Sequence, residues 1–349
     1  MRWPTAPLTV LLAALVCQQA VRSRAQEAEP ASVVATPLRI TSERPFDTLG
    51  YRLFVGGFQC DTDGNVFFLP GLPGDVRYPA EIVRVPSDGA SPSRVDMPSV
   101  LGVSDAKDVA ILSMAVDPQG DLHVLASGPR ARDTASGGGQ RILSFGGDGQ
   151  LLSDVALNAS ELVADSLAAF DSGEFLLIGR EGGAPKPRVA VMPRGGQPLR
   201  DVLPQSRRDT PRPRDNPKSP TTGHDDAPLL GVANSDGRIY MTSQAGAVQV
   251  VSSAGRVIRE IRVASSQRDG RLMELKVSGQ RLAAVYSVSL GARSVRWIEV
   301  YSVESGEHVA SYGPVTHLVM CYRPEGARDR FTLLAGRGGR SYQLEASAP

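Results

Sequence analysis

The chain has 349 residues with 38 Lys and Arg against 37 Asp and Glu, so no net charge draws it to nucleic acid or to an anionic membrane. Hydrophobic residues make up 41%, enough for a large core, while 36 Gly and 26 Pro predict frequent turns. The three cysteines are too few and too far apart for a structural zinc site, which takes four clustered ligands.

Residues 1–25 come first, with basic Arg2, an apolar run from Pro7 to Val16 and a small-x-small end at Ser23-Arg24-Ala25. This is the pattern of a cleaved export signal, with Gln26 as the first mature residue and 26–35 as a flexible lead. The apolar run is about half of the roughly 20 residues that a spanning helix needs, and no later run reaches that length. An uncleaved anchor is the alternative. The chain is expected to be exported, periplasmic or secreted, with no membrane span in its mature part.

Next comes TPLRIT, residues 36–41, an alternating β-like segment. From Tyr51 onward the chain repeats one phrase: FQCDTDGNVFFLP, MAVDPQGDLHVLA, AAFDSGEFLLIG and GVANSDGRIYMTS, with weaker copies at LKVSGQRLAAVYS and CYRPEGARDRFTLLAG. Each is an apolar run, a glycine turn and a second apolar run, which is how a tight hairpin is written. The turn glycines are Gly64, Gly120, Gly173, Gly237, Gly279 and Gly326, at intervals of 42 to 64 residues. A second turn falls between successive copies, at Gly89, Gly149, Gly196, Gly255 and Gly306. Each unit therefore reads strand, turn, strand, loop, strand, turn, strand.

Four short antiparallel strands repeated in this way predict an all-β fold, a six-bladed β-propeller. The sixth unit runs out after SYQLEASAP, one strand short. Residues 36–41 are expected to supply that outermost strand and close the ring, which hides sheet edges. Closure makes the innermost strands of blades one and six neighbours, and these carry Cys60 and Cys321. A disulfide between them would lock the ring; two separate buried thiols are the alternative. Residues 36–349 are read as a single propeller domain.

The phrases DPQGDLHVLA and SDGRIYMTS resemble the blades of NHL-type six-bladed propellers found in many exported bacterial proteins. The resemblance covers nearly all of the mature chain and implies a fold, not an activity. Segments 104–110 and 160–167 are read as a turn or two of helix between blades. Residues 206–228, with five prolines, mixed charge and no apolar periodicity, are read as a mobile insertion.

Motifs of chemistry are scarce. The acids of DTDGN suit turn formation better than calcium, because buried strand follows at once where a calcium loop needs its later Gly and Glu. No metal and no cofactor is expected. His123 sits inside an apolar strand and is read as packed and hydrogen-bonded, His224 lies in the insertion, and His317 opens the innermost strand of blade six. There is no nucleophile elbow, S-x-x-K or phosphate loop. The gluconolactonase-like propellers place a metal-binding Glu entering blade one. Glu43 lies there without the surrounding motif.

In propellers, the loops joining second to third strands share one face with the loops between blades. On the first set lie Arg77, Arg130, Arg132, Arg141, Arg180, Lys186, Arg188, Arg293, Arg296, Arg337 and Arg340, against Asp75, Asp133 and Glu181. The inter-blade loops add Asp105, Asp108, Glu161, Asp165 and Asp269. This face is expected to be locally positive and to receive an anionic group, with Arg180, Arg293, Arg337, Arg340 and His317 as candidate ligand-binding residues. Loop charges simply paired with nearby acids are the alternative.

Two functions follow from these readings. One is a non-catalytic, monomeric binding platform for a protein or small anionic ligand. The other is an exported hydrolase or lyase with a site assembled at the channel mouth, for which Asp47, Asp165 and His317 are the raw material.

Overall fold

The structure is a computed structural model that describes residues 35–349 apart from 47–48, 50–52, 72–79, 106–107, 129–138, 183–185, 197, 203–227, 235, 244–246 and 292. The expected signal 1–25 and nearly all of the lead 26–35, the insertion 206–228 (save Pro228), and Asp47, Asp75, Arg77, Arg130, Arg132, Asp133 and His224 lie outside the described residues.

The first strand is β1 (Arg39–Pro45). Blade one follows as β2 (Leu53–Cys60), β3 (Val66–Gly71), β4 (Glu81–Val85) and β5 (Ser93–Asp96). Blade two is β6 (Ala110–Val116), β7 (Leu122–Ser127), β8 (Gln140–Phe145) and β9 (Leu151–Ala156). Blade three is β10 (Leu162–Ala169), β11 (Phe175–Glu181), β12 (Pro187–Met192) and the two-residue β13 (Arg200–Asp201). Blade four is β14 (Pro228–Asn234), β15 (Arg238–Ser243), β16 (Ala247–Ser252) and β17 (Val257–Arg262). Blade five is β18 (Arg271–Ser278), β19 (Arg281–Leu290), β20 (Arg293–Ser302) and β21 (His308–Val315). Blade six takes β22 (Leu318–Glu325), β23 (Arg328–Arg337) and β24 (Arg340–Ser347), and β1 lies outermost against β24. All six sheets are antiparallel, and the molecule is a six-bladed propeller.

Alternation along a strand explains why the central strands read as unbroken apolar runs. In β7, Leu122, Val124 and Ala126 face the cluster shared with blade one, while Leu125 faces the cluster shared with blade three. Among the described residues, one such cluster sits at each of the six junctions between neighbouring blades. The last joins blade six to blade one through Met320, Cys321 and Leu334 against Phe58, Phe68 and Val83. The outermost strands carry the exposed residues, as in β9 with Leu151 and Leu152.

Closure involves both chain ends. β1 pairs with β24 from Arg39↔Ser347 to Pro45↔Tyr342. The strand starts and ends later than the expected 36–41. Thr36 instead bridges in parallel to Tyr312 of β21, donating its N–H to Ser311 O at 2.9 Å. Pro37 then interrupts the donors, and the chain steps from blade five to blade six. Across the same closure, Cys60 and Cys321 are disulfide-bonded with Cα atoms 5.9 Å apart.

The expected helices are displaced. The short α1 (Met97–Leu101) begins where Asp96 caps Ser99 N, and ends at Gly102. Residues 162–167, expected to be helical, lie in strand β10. There the buried Gln140 side chain acts as a neighbouring strand, donating to Ala164 O at 2.7 Å and accepting from Ala164 N at 2.8 Å.

Candidate functional site

The channel is ringed by β2, β6, β10, β14, β18 and β22, and each of these strands carries a bulge in its pairing with the second strand of its blade. A bulge turns one extra residue out of the ladder. In β10 that residue is Asp165 and in β18 it is Met273, both exposed. Deeper in the hub, Lys276 donates to Phe58 O at 2.8 Å, tying blade five to blade one, and lies 3.0 Å from Glu274.

At the glycine-turn end of the channel is a pocket of about 280 Å³ lined by Cys60, Asp61, Asp117, Ser278, Arg323 and Glu325 among others. Asp61 and Asp117 each accept from backbone N–H groups of their own turns. Asp61 accepts from Asn65 N at 2.8 Å and Asn65 Nδ2 at 2.6 Å, and Asp117 accepts from Gln119 N and Asp121 N at 2.9 Å. Among the described residues, no three His, Cys, Asp or Glu side chains converge as metal ligands. Gly64 at this end has φ +82°, which is what requires glycine there, and the Arg323 guanidinium of blade six packs over the turn 2.6 Å from where a Cβ would stand.

Asp117, His123 and Ser144 form a buried chain that resembles a hydrolytic triad in composition alone. His123 Nδ1 lies 2.9 Å from Ser144 Oγ, and Nε2 lies 3.1 Å from Asp117 Oδ2. A working triad puts the carboxylate on Nδ1 and the nucleophile on Nε2, and needs an accessible hydroxyl. Here the order is reversed, all three residues are buried, and Phe175 packs edge-on against the imidazole at 5.1 Å. This is internal bracing of blade two.

Two further buried carboxylates brace the molecule and carry no sequence motif. Asp329, 1% exposed, accepts from Tyr322 OH and Tyr312 OH at 2.7 Å and from Arg281 Nη1 at 2.9 Å, joining blades five and six. Burial, reinforced by Asp329, pushes both tyrosine hydroxyls far above their ordinary pKa, so they remain donors. Glu299, equally buried, accepts from Ser266 N at 2.9 Å and from Ser311 Oγ, and lies 2.9 Å from His308 Nε2.

At the opposite mouth, the expected arginines separate by blade. In blades two and three they meet acids: Arg141 grips Asp154 through Nε at 2.7 Å and Nη2 at 2.6 Å, Arg188 meets Asp201 at 2.7 Å, and Lys186 meets Glu181 at 3.9 Å. The candidate Arg180 lies 3.8 Å from Asp165, both well exposed. Blades five and six differ. Arg293 opens β20 at a hairpin tip, and Arg337 and Arg340 face each other across the tip of β23–β24. Arg337 is held by Glu43 of β1 at 3.0 and 3.1 Å, whereas Arg293 and Arg340 have no ion-pair partner among the described residues.

Three of the five candidates share one cavity. His317, Arg337 and Arg340, with Thr316, Leu318 and Ser341, line a space of about 650 Å³ at the blade-six hairpin. Burial lowers the His317 pKa and the Arg337 charge lowers it further, against a smaller opposing pull from Glu43, so the imidazole is neutral at pH 7. Arg180 and Arg293 stand apart on blades three and five.

No protein-family model matches this chain, and no curated protein matches it. Solved structures match the architecture. A DUF4221 family member from Bacteroides vulgatus aligns with TM-score 0.55 at 10% identity, over 89% of this chain and 98% of that one. The β-propeller domain of Myceliophthora thermophila Cps50 (Swd1) aligns at TM-score 0.42 and 11% identity, over 90% and 100%. BBS1N, solved in complex with ARL6DN, aligns at 0.42 and 13%, over 90% and 98%. At such identities the likeness is one of fold.

Proposed function

We propose that this protein is an exported, non-catalytic, monomeric propeller that presents the mouth formed by its second-to-third-strand hairpins and inter-blade loops as a binding platform for a protein or an anionic group. The reading is carried by how the charged side chains are sorted. The buried carboxylates Asp117, Glu299 and Asp329 are occupied in internal bonds, while Arg293 of blade five and Arg340 of blade six have no ion-pair partner among the described residues. Arginine presents planar donors suited to carboxylate, phosphate or sulfate.

The test is native mass spectrometry of the protein purified from its own source. A retained acidic molecule or protein partner, lost on charge reversal of Arg293 and Arg340, is the expected result. Export is tested separately by sequencing the mature N-terminus, expected at Gln26.

A second reading, a hydrolase or lyase at the same mouth, draws on one observation: a neutral imidazole, His317, lines the cavity beside Arg340. Turnover of a chromogenic ester or sulfate that disappears in His317→Gln would favour it and overturn the platform reading.

A further inference from the structure

The positive character of the mouth belongs to one sector of the ring, and the reason lies in the fourth strands. Blades two and three place Asp154 and Asp201 there, opposite Leu143 and Ala190, within reach of Arg141 and Arg188. In blade five the corresponding residue, opposite Ile298, is Tyr312, whose hydroxyl is spent on Asp329. Among the described residues, the neighbouring Arg296 has only the hydroxyls of Ser287 and Ser294 as partners, at 3.4 and 3.2 Å.

Among the described residues, this end of blades five and six and the loop leading into them carries Arg268, Arg271, Arg293, Arg296, Arg337 and Arg340, while the acids are Asp269 and Glu43. Glu43 is already taken by Arg337, and Glu274, further down the hub, by Lys276. A net positive field therefore covers this sector of a molecule that is nearly neutral as a whole.

Apolar side chains stand exposed among these cations. Leu290, in the hairpin that carries Arg293, is 51% exposed, and Leu318, which lines the blade-six cavity with Arg337 and Arg340, is 37% exposed. The bulge residue Met273 is 44% exposed at the channel. Single exposed leucines need no explanation, but Leu290 beside Arg293 at one hairpin tip and Leu318 beside Arg340 at the cavity of the next blade make the composition of a recognition surface. A bare inorganic anion would use the arginines and leave the leucines idle.

We propose that this sector is a docking surface for an acidic segment of a partner protein, with its carboxylates on Arg293 and Arg340 and apolar side chains set against Leu290 and Leu318. The inference rests on the platform reading and specifies its occupant. Charge complementarity selects an acidic segment, and the cavity beside Leu318 is large enough for a side chain to enter.

The experiment selects a phage-displayed random dodecapeptide library on the purified protein, then measures fluorescein-labelled selected peptides by anisotropy. Sequences combining Asp or Glu with Leu, Phe or Met are expected. Arg293→Glu with Arg340→Glu should weaken them by at least about tenfold, and Leu290→Ser with Leu318→Ser by several-fold. Arg328→Glu, at the opposite end of the blade, should change nothing, and circular dichroism confirms that each variant is folded. The proposal is overturned if no acidic sequence is enriched, or if binding survives the double charge reversal. It is also overturned if inorganic phosphate alone competes fully while the leucine variants bind normally, since the sector is then a simple anion site. Peptides that bind but ignore all four substitutions would leave the platform reading standing and remove only this sector from it.

Discussion

Asp329 lies between Arg328 and Arg330 in a polar hairpin, and along the chain it looks like one more solvated charge. The ring presses it against blade five, where it accepts from Tyr312 and Arg281 in addition to Tyr322 of its own blade, and it is closed to water. Replacing it with Ala would leave the half-buried Arg281 and two buried hydroxyls without an acceptor, a loss of about 3–5 kcal/mol. Urea unfolding at pH 7 should show this, with Asp329→Asn costing less because its amide oxygen still accepts. His317 makes a prediction about pH. Its folded pKa lies below the ordinary 6.5, so the unfolded chain binds the proton more readily. The stabilisation is fully present above pH 6.5 and is lost as pH falls from there through the lower folded pKa. The stability of His317→Gln should therefore fall less between pH 7 and pH 5 than that of the parent, and equal slopes would count against a desolvated imidazole. His123, by contrast, was legible as a packed ring from its place in an apolar strand, although Ser144 and Asp117 as its partners were not.

Among the elements, β1 shows how far local pattern reaches. The need for a closing strand follows from counting strands, yet its position moves to Arg39–Pro45 because Thr36 bonds to blade five first. Removing residues up to Pro45 should uncover the full edge of β24 and the ladder it offers to other chains. Size-exclusion chromatography is expected to show concentration-dependent self-association of that truncated chain, and a stable monomer would refute a closing role for β1. The bulges of β6, β10, β18 and β22 had no signal in the sequence, because any residue type can occupy the extra position, here Leu112, Asp165, Met273 and Met320, whereas those of β2 and β14 fall at Gly56-Gly57 and Leu230-Gly231. The expected helix over 160–167 failed because residues from Leu162 onward pair with β11, to which the Gln140 side chain of blade two adds two bonds at Ala164.

At the scale of the whole molecule, the disulfide spans 261 residues and joins the first and last blades. A link over so long a loop removes much of the freedom of the unfolded chain, with an upper figure of about 5 kcal/mol and typical returns of about 2–4 kcal/mol. Cys60→Ser with Cys321→Ser should lower the urea midpoint accordingly, and dithiothreitol should do the same to the parent chain while leaving the double variant unchanged. A midpoint indifferent to reductant would mean that the junction between blades six and one is held by its apolar cluster and β1 alone.

The number, order and pairing of the strands were determined by the sequence itself, because turn glycines and two-residue alternation act over a few neighbouring residues and repeat along the chain. The distribution of charge around the mouth was decided only by tertiary structure. Arg141 and Arg296 hold equivalent places in their blades; what separates them is that the fourth strand brings Asp154 within 2.7 Å of one and only Tyr312 into the matching position for the other. Coulomb attraction falls with distance and with access to water, so which arginines stay available to a partner depends on register and on neighbouring strands, and these are properties of the closed ring.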